Sequence, residues 1–372
     1  MHRGCVMKIA IVSPYSWAHP GGVDNHVAGL SRELSRRAHD VTIIAPDEGT
    51  AVPGACFVTA GRSIPVPANG SIAHLALGPG TGGRVRRVLS ENEFDVVHVH
   101  EPLVPLVSTS AVLGARGRVV GTFHAAGDGR SMLYGFAKAF LGKAHRRLDA
   151  LIAVSEPARS LASRYFPGDY QIIPNGVDTS RFAPGGDRPA RFPSGSGPVV
   201  LFVGRNEPRK GIGSLIRAFP TVAEAVGDCR LLIVGSGFDE GKIKRAVRED
   251  LRDRITVVGF IGNEELPSYY SSADVFCAPA IGGESFGVVL IESIASGTPV
   301  VASDIAGYRG VLEQTGGGRL FRAGDSGALA EALIDILSDE EKRLGLAESG
   351  LERVKAFSWG HLAERLESVY LG

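Results

Sequence analysis

The sequence predicts an α/β protein of two parallel-sheet halves, and three observations carry that prediction. Short, nearly continuous apolar runs alternate with longer amphipathic segments along almost the whole chain. The alternation halts once, at APGGDRPARFPSGSGP (183–198), and then starts again. The chain also has the material for two cores, with 372 residues of which 44% are hydrophobic and 22% charged. Strands that are apolar on both faces and separated by helices belong in parallel sheets covered on each side.

Taken in order, the first half gives strands at KIAIVSP (8–14), DVTIIAP (40–46), DVVHVH (95–100), RVVGTFH (118–124) and ALIAVS (150–155). Between the first two, Val23–Arg37 sets Val27, Leu30 and Leu34 at helical spacing, a single apolar stripe. Residues 183–198, rich in Pro, Gly and Ser, read as a linker, with a hinge near 175–198. The second half gives VVLFVG (199–204), RLLIVG (230–235), ITVVGF (255–260), DVFCAP (274–279) and TPVVAS (298–303). The expected division is a Rossmann-like domain over 1–180, a second over 198–357, and a terminal helix over 358–372 that packs back on the first. Ligands of such sheets sit beyond the carboxyl ends of the strands, so the cleft between the domains is the expected binding place.

Charge and cysteine content exclude several functions. Lys+Arg and Asp+Glu number 40 each, which leaves no global attraction for nucleic acid or anionic lipid. The four cysteines, Cys5, Cys56, Cys229 and Cys277, form no C-x-x-C pair. That speaks against a zinc ribbon or disulfide framework and for a reducing cytoplasm. No run approaches the ~18 apolar residues of a membrane span, and KIAIVSPY is too short for a signal peptide. The expectation is a cytoplasmic protein whose membrane contact is peripheral.

Chemistry concentrates in the strand-end loops. In HPGGVDNHV (19–27), Gly21 and Gly22 let the backbone approach a ligand, and the following helix offers free N–H groups to an anion. This is not G-x-G-x-x-G, and VGSGFDEG (234–241) is only G-x-G; each also reads as a plain tight turn. His124 ends a buried strand on the side where a site opens, although a lone histidine there equally suits a hydrogen-bonded core role. His98 and His100 alternate on one strand without a carboxylate or cysteine at ligand spacing, so they read as structural and no metal is assigned. GRNEPRKG (204–211) gathers Arg205, Glu207, Arg209 and Lys210. Arg205 as a fork and Lys210 as a point charge suit a diphosphate, while the loop taken alone also reads as solvated charge.

The most specific stretch is GGESFGVVLIE (282–292). It turns on Gly282 and Gly283 and starts a helix near Phe286, so the amides of Ser285, Phe286, Gly287 and Val288 face an anion. Glu284 lies in the loop beside that anion, and Glu292 follows about two turns later. Carboxylates accept hydrogen bonds from vicinal hydroxyls, so one fits a sugar ring and the other a ribose. The pattern frames a nucleotide diphosphate-sugar.

Together these residues resemble the retaining glycosyltransferases of family four, which have the GT-B fold. The resemblance spans essentially the whole chain: PGGV after the first strand, TFH, IPNGVD (173–178), GR…RKG, and the two glutamates of ESFGVVLIE, in that order. It implies that Gly22 admits the donor diphosphate and that His124 lies near the reacting carbon of the donor sugar. Arg205 and Lys210 would hold the diphosphate and steady the leaving group, Glu284 would bind the transferred sugar, and Glu292 the ribose, with Ile261 beside the base. It further implies retention by front-face attack, with no enzymic nucleophile, no cofactor and no catalytic metal.

Within the family, SPYSWAHPGGVDNHV, IPVPANGSIAHL, HVHEP and APAIGGESFGVVLIE are similar to the branch that mannosylates phosphatidylinositol. That similarity implies GDP-mannose as donor, the inositol ring of a membrane lipid as acceptor, and Asp24, Asn69, Ser71, His74 and His124 around it. Ala68, His74 and Ala76 stand where that branch carries a tyrosine and two arginines. GGRVRRVLSE (82–91) sets Arg84, Arg86 and Arg87 beside Val85, Val88 and Leu89, a short basic amphipathic helix. Its counterpart in that branch meets the membrane, which implies contact with the anionic inner face at ~1 kcal/mol per cation. Three other readings stay open at this point: a UDP-sugar-dependent transferase with a different acceptor, a GT-B sugar-nucleotide epimerase, and a non-catalytic sugar-nucleotide-binding module.

Overall fold

A computed structural model describes residues 6–19, 21–68, 71–127 and 141–372. The chain forms two compact α/β units; one runs to Gly176 and takes in Trp359–Gly372, and the other is Val177–Ser358.

The first unit contains β1 (Lys8–Val12), α1 (Gly22–Arg36), β2 (Asp40–Ala45), β3 (Ala55–Thr59), β4 (Ile64–Ala68), β5 (Ser71–Leu75), α2 (Thr81–Glu91), β6 (Val96–His100), α3 (Val107–Gly114), β7 (Arg118–Phe123), β8 (Ala150–Ala153), α4 (Glu156–Tyr165) and β9 (Tyr170–Ile172). Seven strands make one parallel sheet in the order β3-β2-β1-β6-β7-β8-β9, while β4 and β5 pair separately as an antiparallel hairpin. Ile9, Ile11 and Val12 of β1 are wholly buried, as are Val27, Leu30 and Leu34 of α1, so strand and helix bury the stripes their sequence periods predict. β3, β9 and the hairpin were not visible as strands. β3 lies at an edge and is only partly buried, and β9 is three residues long, so neither carries a continuous apolar run.

The chain's last helix, Trp359–Leu371, completes this unit. Its Trp359 ring occupies a slot made by two glycines: a Cβ at Gly29 would fall 2.3 Å from the ring, and one at Gly176 2.6 Å from it. Arg37 clamps Glu367 with two hydrogen bonds of 2.6 and 2.8 Å.

The second unit runs β10 (Val199–Val203), α5 (Ile212–Val226), β11 (Arg230–Val234), α6 (Glu240–Arg245), β12 (Ile255–Gly259), α7 (Leu266–Ser271), β13 (Val275–Ala278), α8 (Val288–Ala295), β14 (Val300–Ser303), α9 (Ala306–Thr315), β15 (Gly318–Phe321), α10 (Ser326–Leu337) and α11 (Glu340–Arg353). The terminal helix Trp359–Leu371 is therefore α12. Its six-stranded sheet is parallel in the order β12-β11-β10-β13-β14-β15. The stretch 183–198 is not a free linker. It lies within this unit, flanked and anchored by Phe182 and Phe192, which are 4% and 8% exposed in the core, and Arg188 lies over the Phe192 ring at 4.6 Å. Proline and glycine content concealed the apolar area that these two rings bury.

In each sheet the strand order reverses once, between β1 and β6 and between β10 and β13. Loops leaving adjacent strands on opposite sides of a reversal open a crevice at their carboxyl ends, where such sheets bind ligands. The loops of interest are thus those after β1 and β6 in one unit, and after β10 and β13 in the other.

Candidate active site

In the second unit, the loop after β10 and the loop after β13 are laced together through Arg209. Its carbonyl accepts from the Ile281 amide at 2.9 Å, and its guanidinium donates to the Gly283 carbonyl at 3.4 Å. The same guanidinium bonds the Glu284 carboxylate and lies 2.7 Å from Glu207. Lys210 Nζ reaches the same Glu284 oxygen at 2.7 Å, and Arg205 pairs with Glu207 at 2.9 Å. The loops approach so closely at Gly211 (φ 71°) that a Cβ there would lie 1.8 Å from the Pro279 carbonyl. Only glycine fits that contact.

Three cations and two carboxylates therefore share one strand-end cluster. Arg205 is the exposed member, with 60% of its side chain accessible, while Arg209, Lys210, Glu207 and Glu284 are largely enclosed. The sequence reading paired Arg205 with Lys210; the structure brings Arg209 and Lys210 together on Glu284. Cations already held in place need little reorganisation to receive an anion.

Helix α8 begins at Val288 with Gly287 as its cap, slightly later than expected; in its first turn the Leu290 amide donates to the Gly287 carbonyl at 2.9 Å, while a helix's earliest amides have no partner within it. Phe286 precedes the helix and is 4% exposed, packed on Phe357 in the core, so this residue offers a ligand its backbone rather than its ring. Glu292 lies on α8 and accepts from the Tyr270 hydroxyl at 3.2 Å. Burial pushes its carboxyl up to about 7, against the opposing pull of the Tyr270 hydrogen bond and the Arg181 charge. Ile261, just beyond β12, is half-buried against the core, and its neighbour Phe260 is 81% exposed, an apolar ring that the sequence reading passed over.

The first unit presents a different chemistry. Gly22 opens α1, and a Cβ there would meet nothing within 4 Å, so the helix N-terminus faces open space. Asp24 spends both carboxylate oxygens on its own loop, accepting from Ser13 Oγ at 2.9 Å and the Gly21 amide at 3.1 Å. Burial raises its pKa to about 6, with these hydrogen bonds opposing. His124 is 7% exposed, one residue past β7, and its amide and that of Ala125 both donate to the Glu101 carboxylate at 2.7 Å. Glu101 itself holds φ at 47°, a left-handed conformation uncommon for a side-chain-bearing residue. The sequence reading did not single it out.

Around His124 the structure gathers further histidines. Its Nε2 hydrogen-bonds His100 Nδ1 at 2.8 Å, and the His26 ring stands edge-on to both rings at centroid distances of 5.1 and 5.2 Å. Burial depresses the pKa of His26 to about 4 and that of His98 to about 3, and pushes His100 and His124 well below the ordinary range. All four are uncharged near neutral pH.

At the β4–β5 hairpin, His74 stacks on His19 with centroids 4.2 Å apart and planes 7° from parallel. Ser71 pairs with Ala68 in the hairpin register, Asn69 lies outside the described residues, and Ala76 is buried at 1% exposure. The α2 arginines are exposed, and each has a polar partner. Arg84 donates to the Ala60 carbonyl, Arg86 to Ser110, and Arg87 pairs with Glu91. No described helix is long and apolar enough to cross a membrane.

Comparison with known proteins places the chain firmly. Residues 20–181 match the family described as Glycosyltransferase Family 4, and residues 187–353 match Glycosyl transferases group 1. The chain is 38% identical over 367 residues to the phosphatidyl-myo-inositol mannosyltransferase of Mycolicibacterium smegmatis, covering 98% of this chain and 93% of that one. It is 40% identical over 365 residues to the protein of the same name in Mycobacterium leprae, covering 98% and 96%. Among solved structures, sucrose-phosphate synthase from Thermosynechococcus elongatus superposes with a TM-score of 0.75 over 98% of each chain, at 24% identity, a likeness of fold.

Proposed function

Because this chain belongs to the family 4 glycosyltransferases, we propose that it moves mannose from GDP-mannose to an inositol hydroxyl of phosphatidylinositol, with retention of anomeric configuration. The observation that carries the chemistry is the cluster of Arg205, Arg209 and Lys210 around Glu284 and Glu207 at the reversal of the second sheet. A sugar nucleotide leaves as a diphosphate, and fixed cations stabilise the charge that develops on it.

In this reading the diphosphate takes Arg205 and Lys210, helped by the first-turn amides of α8, Ser285–Val288 lying beside it. Glu284, released in part from its cations, accepts hydrogen bonds from the mannose hydroxyls, and Glu292 accepts from the ribose. Gly22 leaves room for phosphate oxygens, and His124, uncharged, hydrogen-bonds a sugar hydroxyl near the anomeric carbon. The bond from that carbon to the phosphate oxygen breaks as the bond to the inositol oxygen forms on the same face. The inositol proton passes to the departing phosphate oxygen, and GDP leaves. The cationic side chains do this without a catalytic metal. Asp24 and the His19–His74 stack border the acceptor. The lipid is met at the anionic inner face of the plasma membrane, with α2 and its arginines facing the headgroups.

The test is transfer of labelled mannose from GDP-mannose into the organic phase, with phosphatidylinositol vesicles present or absent and UDP-glucose as the competing donor. Lipid-linked label from GDP-mannose alone is expected. Label from the UDP-sugar, or no lipid product from either donor, overturns the assignment.

A further inference from the structure

We propose that His26, His100 and His124 form a binding site for a late first-row divalent cation of the Zn²⁺ or Co²⁺ type, and that its occupation takes His124 out of the transfer reaction. The three residues come from separate elements: His26 from α1, His100 from the last position of β6, and His124 from the residue following β7. Each offers a ring nitrogen, and the three nitrogens lie within 4.8 Å of one another. Side-chain rotation of a few tenths of an ångström to an ångström brings such a set to the ~2.0–2.1 Å of a zinc–imidazole bond.

His98, in the same cluster, shows what a satisfied core histidine looks like. One of its nitrogens meets the Tyr370 hydroxyl at 2.7 Å and the other Thr122 Oγ1 at 2.7 Å, so its bonding is complete. His26 and His100 differ. His26 Nδ1 and His100 Nε2 are buried with no hydrogen-bond partner, and so is the Asn175 side-chain oxygen. An orphaned buried nitrogen costs free energy that a metal bond recovers.

The donor set selects the cation. Three imidazoles with no carboxylate ligand suit Zn²⁺, Co²⁺, Ni²⁺ or Cu²⁺, and do not suit Mg²⁺ or Ca²⁺. Three histidines with a free fourth position is also an established zinc geometry. The charge brought in is met locally, because the Glu101 carboxylate already holds the His124 amide. His26 and His124 keep 5% and 7% exposure, whereas His100 keeps none.

The inhibitory part rests on the role given to His124 above; the binding part does not. Titrating the metal-free protein calorimetrically with ZnCl₂, and separately recording its visible spectrum with CoCl₂, is expected to show one equivalent bound and the intense d–d bands of an imidazole-ligated ion of low coordination number. His26→Gln and His100→Gln are each expected to weaken binding by at least about tenfold, and MgCl₂ to give no heat. No stoichiometric binding overturns the site, as does equal binding in both variants, which would mean an adventitious ion only, held by an exposed histidine such as His19. The cobalt spectrum needs no variant and so decides the matter even if a substitution prevents folding. One equivalent of ZnCl₂ is expected to suppress mannose transfer, with recovery on adding EDTA; undiminished transfer by zinc-loaded protein overturns the inhibitory part.

Discussion

Two strand-end clusters occupy equivalent places in two similar sheets, and they solve the problem of buried polarity in opposite ways. The second unit keeps full charges, three cations against two carboxylates, in a mutually compensated group that is enclosed except for Arg205. The first unit keeps imidazoles stripped of charge by burial. Topology thus decides where a ligand-facing cluster sits, and side-chain chemistry decides what it faces. In the function proposed above, the charged cluster suits a diphosphate and the neutral one suits hydroxyls.

The sharpest way to break this contrast is to remove a charge. Lys210→Ala is expected to lower transfer on the order of 100-fold or more, the scale of a lost oxyanion contact, while the unfolding temperature moves little. A loss below a few-fold would show that the cluster is structural salt-bridging. A gentler change tests whether the fork or the charge of Arg209 matters. Arg209→Lys keeps the charge but cannot hold Gly283, Glu284 and Glu207 together, so about a tenfold fall in kcat is expected. Full activity in that variant would reduce Arg209 to a point charge.

The smallest expected effect concerns Glu292, the one carboxylate of the second unit that resembles the first unit in its burial. Its folded pKa of about 7 lies above its ordinary 4.5, so the folded chain holds the extra proton and stability falls as pH rises between those values. Above pH 7 the penalty is fully present; below 4.5 it is absent. Glu292→Gln is therefore expected to stabilise the protein by roughly 1–2 kcal/mol at pH 8, allowing for remaining solvent screening, and to change nothing at pH 4. Donor affinity, read calorimetrically at pH 8, should meanwhile drop by about tenfold. A variant that loses stability at pH 8 would refute the burial argument.

Much of this arrangement was legible in the chain. The apolar strands and helical stripes announced the two parallel α/β units, and strand-end loops named Lys210 and Glu284 because glycine, lysine and glutamate stand there with no core to serve. What was hidden involves partners remote in sequence. Nothing beside Arg209 says that its carboxylate lies 75 residues away. His26, His100 and His124 are separated along the chain and meet only because β6 and β7 are neighbours under α1. The stretch 183–198 misled because its composition is that of a linker, although Phe182 beside it and Phe192 within it sit in the core. The left-handed backbone of Glu101 also escaped notice, since glutamate gives no local sign of it.

The closing helix α12 has a consequence in time. Val177–Ser358 is continuous in the chain, so that unit has its whole sequence in hand before synthesis ends. The other unit has most of its sheet early, yet waits for the last residues to emerge: His98 is bonded to Tyr370 across 272 positions, and Trp359 fills the slot left by Gly29 and Gly176. On the ribosome, then, the domain begun first is completed after the other has its whole sequence, and its histidine cluster lacks the Trp359 ring against His26 and the Tyr370 bond to His98 until α12 has emerged.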